Sequence, residues 1–528
     1  MDERSSRVRA SASGEFSGAD LMVSALAAAG VDTCFVNPGT SELHFMAALG
    51  RNGQLRSVPC LTESVATGAA DGYGRTAGKP AAVLLHCGPG LANGLANLHN
   101  ARRAGTPVIV LVGDHATYHQ PLDPPLATDT MALAAPMAKF VRRSVDPARL
   151  AADVEEAVAA SIAPPSGVAV LVVPSDLSWS AASAHIAGSG RPARAVAPPP
   201  GRLEVAARAL MRGNAAILLG GEALGERCVT LASRLASHTG ARLLASAQVR
   251  RIARGRGRPA VPRLAYDVDE AALMLAGVET VLLFGTGSPV AFFALPGRRQ
   301  TPLPEGVTIL TPADPGQSCE LALEALVERL GCPPVQEPGN PHLAPPPDGP
   351  LDSQKVAQVL SAVLPRDAIV IDEGVSLGRT FFNATANAAP HDWLQLTGGA
   401  IGSGIPMATG AAIAAPGRSI VSLQADGSGL YTLQGLWTQA RERLRVTTLL
   451  LSNRSYAILL GEAHRLGLAT EGPLGDACRL DDPPAGWLQL ANGFGVPASR
   501  AGTSAELAAL LEASFAREGP CLIEAAFT

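Results

Sequence analysis

Ile420-Val421-Ser422-Leu423-Gln424-Ala425-Asp426-Gly427-Ser428, and later Thr447-Thr448-Leu449-Leu450-Leu451-Ser452-Asn453-Arg454-Ser455-Tyr456, are the two stretches that decide the fold. Each opens as an apolar strand, Ile420 to Leu423 and Thr447 to Leu451, and each breaks at polar residues. Asn453 follows Asp426 by 27 residues, room for one helix and one strand. Both residues should therefore stand at the carboxyl ends of strands in one sheet, where open α/β sheets bind ligands. Gly427 permits a sharp turn, and Ser428 is expected to begin a helix that includes Leu433, Leu436 and Trp437. Mg²⁺ takes hard oxygen ligands and keeps part of its shell for phosphates and water. The Asp426 carboxylate, the Asn453 amide oxygen and a backbone carbonyl just beyond it would supply such ligands. The amides of Gly427 and Ser428 at a helix start could receive phosphate oxygens. The plainer alternative is an ordinary turn Asp and a strand-end Asn.

The same strand–turn–helix grammar extends through the chain. Two Pro-rich joints, Arg191 to Gly201 and Pro333 to Pro350, separate three segments; such stretches are stiff and extended and suit linkers. The expected domains are residues 15–190, 201–332 and 351–528. Apolar strands such as Ala81 to His86, Val108 to Val112 and Val168 to Val173 in the first segment, and Ala215 to Leu219 and Val281 to Phe284 in the second, imply parallel sheets covered on both faces. The fold class is α/β, with three successive doubly wound parallel-sheet domains. Hydrophobic residues at 47% exclude a disordered chain, and a net charge of −4 gives no field that would select nucleic acid or an anionic membrane. No apolar stretch reaches the roughly 20 residues of a membrane span, and Met1 to Gly14 has no apolar signal core. Eight scattered cysteines form no C-x-x-C pair, so a cytoplasmic location is expected. The basic run Arg250, Arg251, Arg254, Arg256 and Arg258 reads as a solvated loop, or else as a contact with an anionic ligand or subunit.

Three further motifs stand out. Glu63, in Leu61-Thr62-Glu63-Ser64-Val65-Ala66, opens an Ala/Gly-rich helix that continues to Gly72-Tyr73-Gly74-Arg75; acids are favoured in a first turn in any case. Asn37-Pro38-Gly39-Thr40-Ser41-Glu42-Leu43 and Leu85-His86-Cys87-Gly88-Pro89-Gly90 each follow a strand, and His86 could equally be a structural strand-end histidine. Gly398-Gly399-Ala400-Ile401-Gly402-Ser403-Gly404-Ile405 is a Gly-rich loop before a helix.

Together these motifs resemble the thiamine-diphosphate (ThDP) dependent enzymes, on the side of the acetolactate synthase large subunit and benzoylformate decarboxylase. The metal signature of that family is Gly-Asp-Gly-Ser followed by Asn-Asn; Ala425 and Ser452 depart from it at positions that are not ligands. The resemblance covers about residues 15 to 528, in the order pyrimidine-binding, central and diphosphate-binding domain. It implies Asp426, Asn453 and the carbonyl of Ser455 as Mg²⁺ ligands, with Gly427, Ser428, Tyr456 and Ser376 around the diphosphate. It implies Glu63 as the acid that hydrogen-bonds the aminopyrimidine and drives proton relay to C2. Pro38 and Asn93 join Glu63 in the cofactor site. Ile401 is the wedge that bends the cofactor, and the Gly399 carbonyl accepts from its amino group; the bend is a proximity device. Thr40 corresponds to the hydroxyl residue that binds the substrate carboxylate, and His86 to a proton-transfer histidine. It also implies a homodimer or homotetramer with ThDP at the subunit interface.

The reaction is less defined. Gly285 to Phe293 lacks the R-F-D-D-R-like run of flavin-retaining acetolactate synthases, so FAD is not expected. A second active-site histidine is also missing there, and Phe292 stands nearby. After Tyr456 come Ala457, Ile458, Leu459 and Leu460, in place of the Trp or Glu of other members. Phe292, Ile458 and Leu459 are therefore expected to line an apolar pocket for a small-molecule 2-oxo acid. The leading expectation is a decarboxylase/carboligase that passes an acyl group to a second carbonyl, in the manner of acetolactate synthase. A non-carboligating decarboxylase of benzoylformate type is the alternative, and a ThDP-binding regulatory protein without catalysis a further one. Gly285-Thr286-Gly287 begins a dinucleotide fingerprint, but Val290 stands where the third glycine is required.

Overall fold

The computed structural model describes residues 16–182, 196–335, 347 and 349–527. The polar N-terminus and most of the two Pro-rich joints lie outside the described residues.

The first sheet holds β1 (Thr33–Asn37), β2 (Arg56–Pro59), β3 (Ala81–His86), β4 (Val108–Asp114), β5 (Phe140–Arg143) and β6 (Val168–Pro174), in the order β2-β1-β3-β4-β6-β5. All its pairings are parallel. β4 and β6 are apolar along most of their length and buried throughout, because helices cover both faces. The central segment contributes β7 (Ala215–Leu219), β8 (Arg242–Ala245), β9 (Ile252–Arg254), β10 (Thr280–Phe284) and β11 (Thr308–Leu310), and four of these form the parallel sheet β11-β10-β7-β8. The last segment adds β12 (Ile369–Glu373), β13 (His391–Gln395), β14 (Ile420–Ala425), β15 (Val446–Ser452), β16 (Ala498–Ala501) and β17 (Cys521–Ala526). Its sheet has seven strands, β16-β17-β15-β14-β12-β13-β9. The fold is α/β with three parallel-sheet domains.

The seventh strand corrects the reading of the basic run. β9 pairs antiparallel with β13, so residues expected in a solvated loop form a sheet edge, and the central segment donates a strand to its neighbour's sheet. The guanidinium of Arg254 is buried, 3.6 Å from the Phe382 ring centroid and 5.4 Å from that of Trp393. Arg251 pairs with Asp392 at 2.9 Å, and Arg258 donates to the His391 carbonyl. Aromatic faces and strand-end acceptors take charges that water would otherwise hold.

The helix Glu63–Ala77 owes its small residues to packing. Thr62 caps it by accepting from the Val65 amide at 3.3 Å, and Gly78, with φ of 70°, closes it. It crosses the helix Gly404–Ala414 of the last segment at backbone contact. A Cβ on Gly72 would fall 2.1 Å from the Met407 carbonyl oxygen, and one on Gly410 1.8 Å from that of Ala69. Forcing a methyl into such a joint costs about 1–3 kcal/mol or more. Val65, Ala69 and Tyr73 share one core with Met407, Ala408 and Ala411, so the first and last domains are fused behind their functional edges. No helix among the described residues is long and apolar enough to cross a membrane.

Candidate active site

In the first sheet, β1 and β3 are neighbours, with Asn37 opposite Leu85. The segments that follow them, the turn Pro38–Glu42 and the start of the helix Cys87–Ala104, therefore meet at the carboxyl edge. Glu42 is 2% exposed and organises this meeting. Its Oε2 accepts from the Gly39 amide at 2.7 Å and lies 2.9 Å from His86 Nδ1; its Oε1 accepts from the Ser41 hydroxyl at 2.5 Å. Ser41 Oγ is itself 2.9 Å from His86 Nδ1. The histidine Nδ1 is thus held by an acid and a hydroxyl. Its Nε2 has no protein partner among the described residues, and the side chain is 26% exposed. Thr40 is exposed beside this group. Cys87 follows in the left-handed region, φ 52°, with its thiol buried; burial pushes its pKa up to about 11.

Glu63 stands next to the same turn. The Asn93 amide donates to its Oε2 at 3.3 Å, and a Cβ on Gly90 would lie 3.2 Å from its Oε1. His86 ends its strand just before the helix Cys87–Ala104 and Asn93 lies within it; Gly88, Pro89 and Gly90 form the first turn of that helix, where Gly90 approaches Glu63. Sequence reading named Glu63, His86 and Asn93, and the structure brings them together. It missed Glu42, which lay inside a quoted motif but whose partner is 44 residues away.

In the last sheet, β14 and β15 are neighbours with Ala425 opposite Leu451, so Asp426 and Asn453 do meet at one carboxyl edge. β12 flanks them, and Ser376 opens the short 3₁₀ turn beyond it. Asp426 is 5% exposed. It accepts from the Arg454 amide at 2.6 Å and the Gly427 amide at 2.9 Å, and no cationic side chain pairs with it among the described residues. Burial raises its pKa and these N–H donors pull it back. Asn453 Oδ1 accepts from the Ser455 amide at 3.2 Å, and the Ser455 hydroxyl is buried without a partner. A buried carboxylate beside the Asn453 amide oxygen offers hard oxygen donors, a set that fits Mg²⁺. Asp426, Ser452, Arg454, Leu430 and Trp487 line a small cavity there.

Two local expectations are corrected. The helix expected from Ser428 through Trp437 is broken into Asp426–Gly429 and Gly435–Arg441. Thr432 lies in the gap and donates to the Gly402 carbonyl at 2.8 Å, which draws the chain toward the Gly-rich loop. The Gly427 amide, expected free for phosphate, is engaged by Asp426. Gly427 is needed instead for close approach: a Cβ there would lie 2.6 Å from the Tyr456 ring.

The Gly398–Gly404 loop carries Gly399 and Gly402 at φ of 80° and 93°. Asn100 clamps Ala400 from both sides, Nδ2 to its carbonyl at 2.8 Å and Oδ1 from its amide at 3.2 Å. Ile401 is half-buried beside it. Phe292 reaches this loop from the central segment; its ring tip would be 2.6 Å from a Cβ on Gly399. Ile458 and Leu459 lie on the helix Ala457–Arg465, with Leu459 exposed. Among the described residues no hydrogen bond joins Glu63 to Asp426: Asn93 of the first segment donates to Glu63, and the Gly427 and Arg454 amides of the last donate to Asp426. The Gly285 turn packs on Gly220, whose carbonyl would be 2.4 Å from a Cβ on Gly285, so backbone fills the strand-end crevice that a dinucleotide reading of that turn requires.

Comparisons with known proteins place the chain in a family. Residues 16–133 match the family model "Thiamine pyrophosphate enzyme, N-terminal TPP binding domain", and residues 377–525 match "Thiamine pyrophosphate enzyme, C-terminal TPP binding domain". A Mycobacterium tuberculosis protein, provisionally named an acetolactate synthase large subunit, is 47% identical over 96% of this chain and 98% of its own. The benzoylformate decarboxylase of Pseudomonas aeruginosa is 29% identical over 94% of this chain and 96% of its own. Among solved structures, the 4-hydroxybenzoylformate decarboxylase of Rhodococcus jostii superposes with a TM-score of 0.82 at 23% identity, covering 97% of this chain and 99% of that one.

Proposed function

The chain belongs to the thiamine pyrophosphate enzymes, and from that premise we propose that it is a Mg²⁺-dependent 2-oxo acid decarboxylase in which His86 delivers the proton that completes the product. The observation that carries this reading is the arrangement at His86. Glu42 and Ser41 hold Nδ1, which fixes the ring and leaves Nε2 as the nitrogen that can face a ligand. With Nδ1–H kept on the Glu42 side, Nε2 can give up a proton and take one back without the ring turning. Thr40, exposed beside it, supplies a hydroxyl for the substrate carboxylate.

Bound thiamine diphosphate supplies the carbon nucleophile and electron sink that let a 2-oxo acid lose CO₂. The chain's residues do the rest. Asp426, Asn453 and the Ser455 carbonyl would hold Mg²⁺, and Ser376, Gly427, Ser428 and Tyr456 would lie around the diphosphate. Glu63, steadied by Asn93, would hold or release a proton at its carboxyl group toward the aminopyrimidine, with Pro38 in the same part of the site. The Gly399 carbonyl and the Ile401 side chain would contact the cofactor and set its conformation. Phe292, Ile458 and Leu459 exclude water from the reacting carbon. As the resemblance to this family implies, the proposed site combines Glu63 of one subunit with the partner's Asp426, in a homodimer or homotetramer. Eight free, buried thiols suit a reducing compartment, and the cytoplasm is the proposed location.

A second reading is transfer of the acyl fragment to another carbonyl compound. The 47% identity to a protein provisionally named an acetolactate synthase large subunit favours it. Product analysis by mass spectrometry tests both. Pyruvate, benzoylformate and branched 2-oxo acids are incubated with and without an aldehyde, in the presence of ThDP and Mg²⁺. Aldehyde products support decarboxylation and 2-hydroxyketones support transfer; no CO₂ release with any of them, in protein that binds ThDP, counts against both.

A further inference from the structure

Glu373 is a buried acid to which the mechanism above gives no task. It ends β12 and is 2% exposed. Its Oε1 accepts from the Gly402 amide at 2.7 Å and the Ser403 amide at 3.1 Å; its Oε2 accepts from the Gly404 amide at 2.7 Å and from Gln424 Nε2 at 3.0 Å. The first three donors are successive amides that lead into the helix Gly404–Ala414, whose own N-cap, Ser403, makes no side-chain cap. A carboxylate is the group that unsatisfied N–H groups at a helix start favour. Burial raises the pKa of Glu373, and these donors oppose that shift; with the Ser403 hydroxyl at 3.4 Å, five donors reach it among the described residues, an arrangement that serves the ionised form.

The grip matters because of what the loop lacks. Gly399 and Gly402 are both left-handed and have no side chains to pack, so outside partners must hold the segment between them. Asn100 holds Ala400 on one flank of Ile401, and Glu373 holds Gly402 on the other. The same carboxylate reaches the opposite half of the site. Gln424 sits opposite Glu373 in register, and its Nε2 also donates to Ser428 Oγ at 2.7 Å, two residues from Asp426.

We infer that Glu373 is a positioning residue: it sets the Ile401 wedge and ties it, through Gln424, to the Asp426–Ser428 turn. This rests on the reading of Ile401 as the residue that bends the cofactor. Glu373→Gln places an NH₂ group among N–H donors, and neither rotamer removes the conflict. The loop must shift while the Mg²⁺ ligands stay in place. A displacement of about 1 Å in positioning groups is enough to cost about 10²-fold in rate.

The test measures exchange of the C2 hydrogen of bound ThDP for deuterium, by acid quench and NMR, in the Mg²⁺-loaded protein. It needs no substrate. Calorimetry gives the ThDP affinity, and thermal melting checks the fold. Glu373→Gln is expected to slow exchange about 10²-fold with affinity changed only a few-fold. Ile401→Ala should slow it similarly. The double variant should be no slower than the worse single one, since both act through one element. Losses that multiply, or normal exchange in Glu373→Gln beside a slow Ile401→Ala, overturn the role of Glu373. Normal exchange in Ile401→Ala overturns the wedge reading itself, and the inference with it. Should Glu373→Gln not fold, Gln424→Met removes one donor that orients Glu373 and leaves the loop amides intact. A smaller slowing that again does not multiply with Ile401→Ala is then expected, and multiplication overturns the inference.

Discussion

The two functional edges of this chain are built on opposite principles. Around His86 the polar groups satisfy one another: Glu42 accepts from a backbone amide and a hydroxyl and meets the imidazole, and in this network only His86 Nε2 is left without a protein partner among the described residues. Around Asp426 the oxygens outnumber what the protein supplies to meet them. A nearly buried carboxylate has two backbone donors and no cation, and the Ser455 hydroxyl has no partner. Burying an unpaired charge is costly. On the proposed reading, the first edge is preorganised for proton transfer, and the second is completed by an ion. The contrast assigns chemistry to one edge and anchoring to the other, and it can be broken by separating the two losses.

The largest separation is expected between Glu63→Gln and Asp426→Asn. Glu63→Gln should lower turnover, and C2 exchange of bound ThDP, about 10³-fold, within the range of acid–base contributions. It should leave cofactor-induced thermal stabilisation intact. At a hundredfold excess of ligand over Kd that stabilisation is about 2.7 kcal/mol. Asp426→Asn should abolish the stabilisation by ThDP with Mg²⁺, through an affinity loss of more than about 10²-fold. Without ligand its melting should change little, because removal of a buried unpaired charge offsets the loss of one of the two acceptor oxygens that the Gly427 and Arg454 amides use. Equal loss of stabilisation in both variants would erase the proposed division.

Glu42→Gln probes the first edge alone. Glutamine keeps one acceptor oxygen where the structure uses two, so either the Gly39 amide or the Ser41 hydroxyl loses its partner and the His86 ring loosens. Turnover should fall about tenfold, the scale of removing an orienting partner. C2 exchange should stay normal, since Glu63 is untouched. A parallel fall in exchange would place Glu42 in cofactor activation instead.

Legibility in the sequence followed the range of each interaction. Asp426 and Asn453 could be found because each ends an apolar strand, and the spacing between them set their adjacency. Glu63 could be found because Thr62 caps its helix and the Ala/Gly run marks a tight helix crossing, although its partner, the helix Gly404–Ala414, could not be named. Glu42 was visible as a letter and invisible as a partner, because only the pairing of β1 with β3 brings it to His86. β9 left no local sign: three residues inside a basic run pair with a strand that begins at His391, and charge density pointed toward solvent. The helix break at residues 430–434 depends on the Gly402 carbonyl that captures Thr432, a contact that helical periodicity does not encode.

The smallest expected effect belongs to Cys87, and it sharpens the same comparison from within the first edge. Its thiol lies 3.5 Å from Ser41 Oγ and 3.7 Å from His86 Nδ1, next to a histidine and in a left-handed turn, a setting that invites a nucleophilic assignment. The electrostatics oppose it. Burial, with Glu42 and Asp114 nearby, pushes the pKa up to about 11, despite the Ser41 hydrogen bond. A raised thiol pKa means the thiolate is absent below that value and grows only as pH approaches it. At pH 8 the folded protein should therefore be alkylated at Cys87 by iodoacetamide about 10²-fold more slowly than the unfolded chain, whose thiol titrates near 8.5. Cys87→Ala should change turnover by no more than about twofold, as expected for a cysteine that acts as a small apolar filler. Rapid alkylation at pH 8 with loss of turnover would make the thiol part of the chemistry. The first edge would then no longer be the closed acid–hydroxyl–imidazole network that distinguishes it from the second.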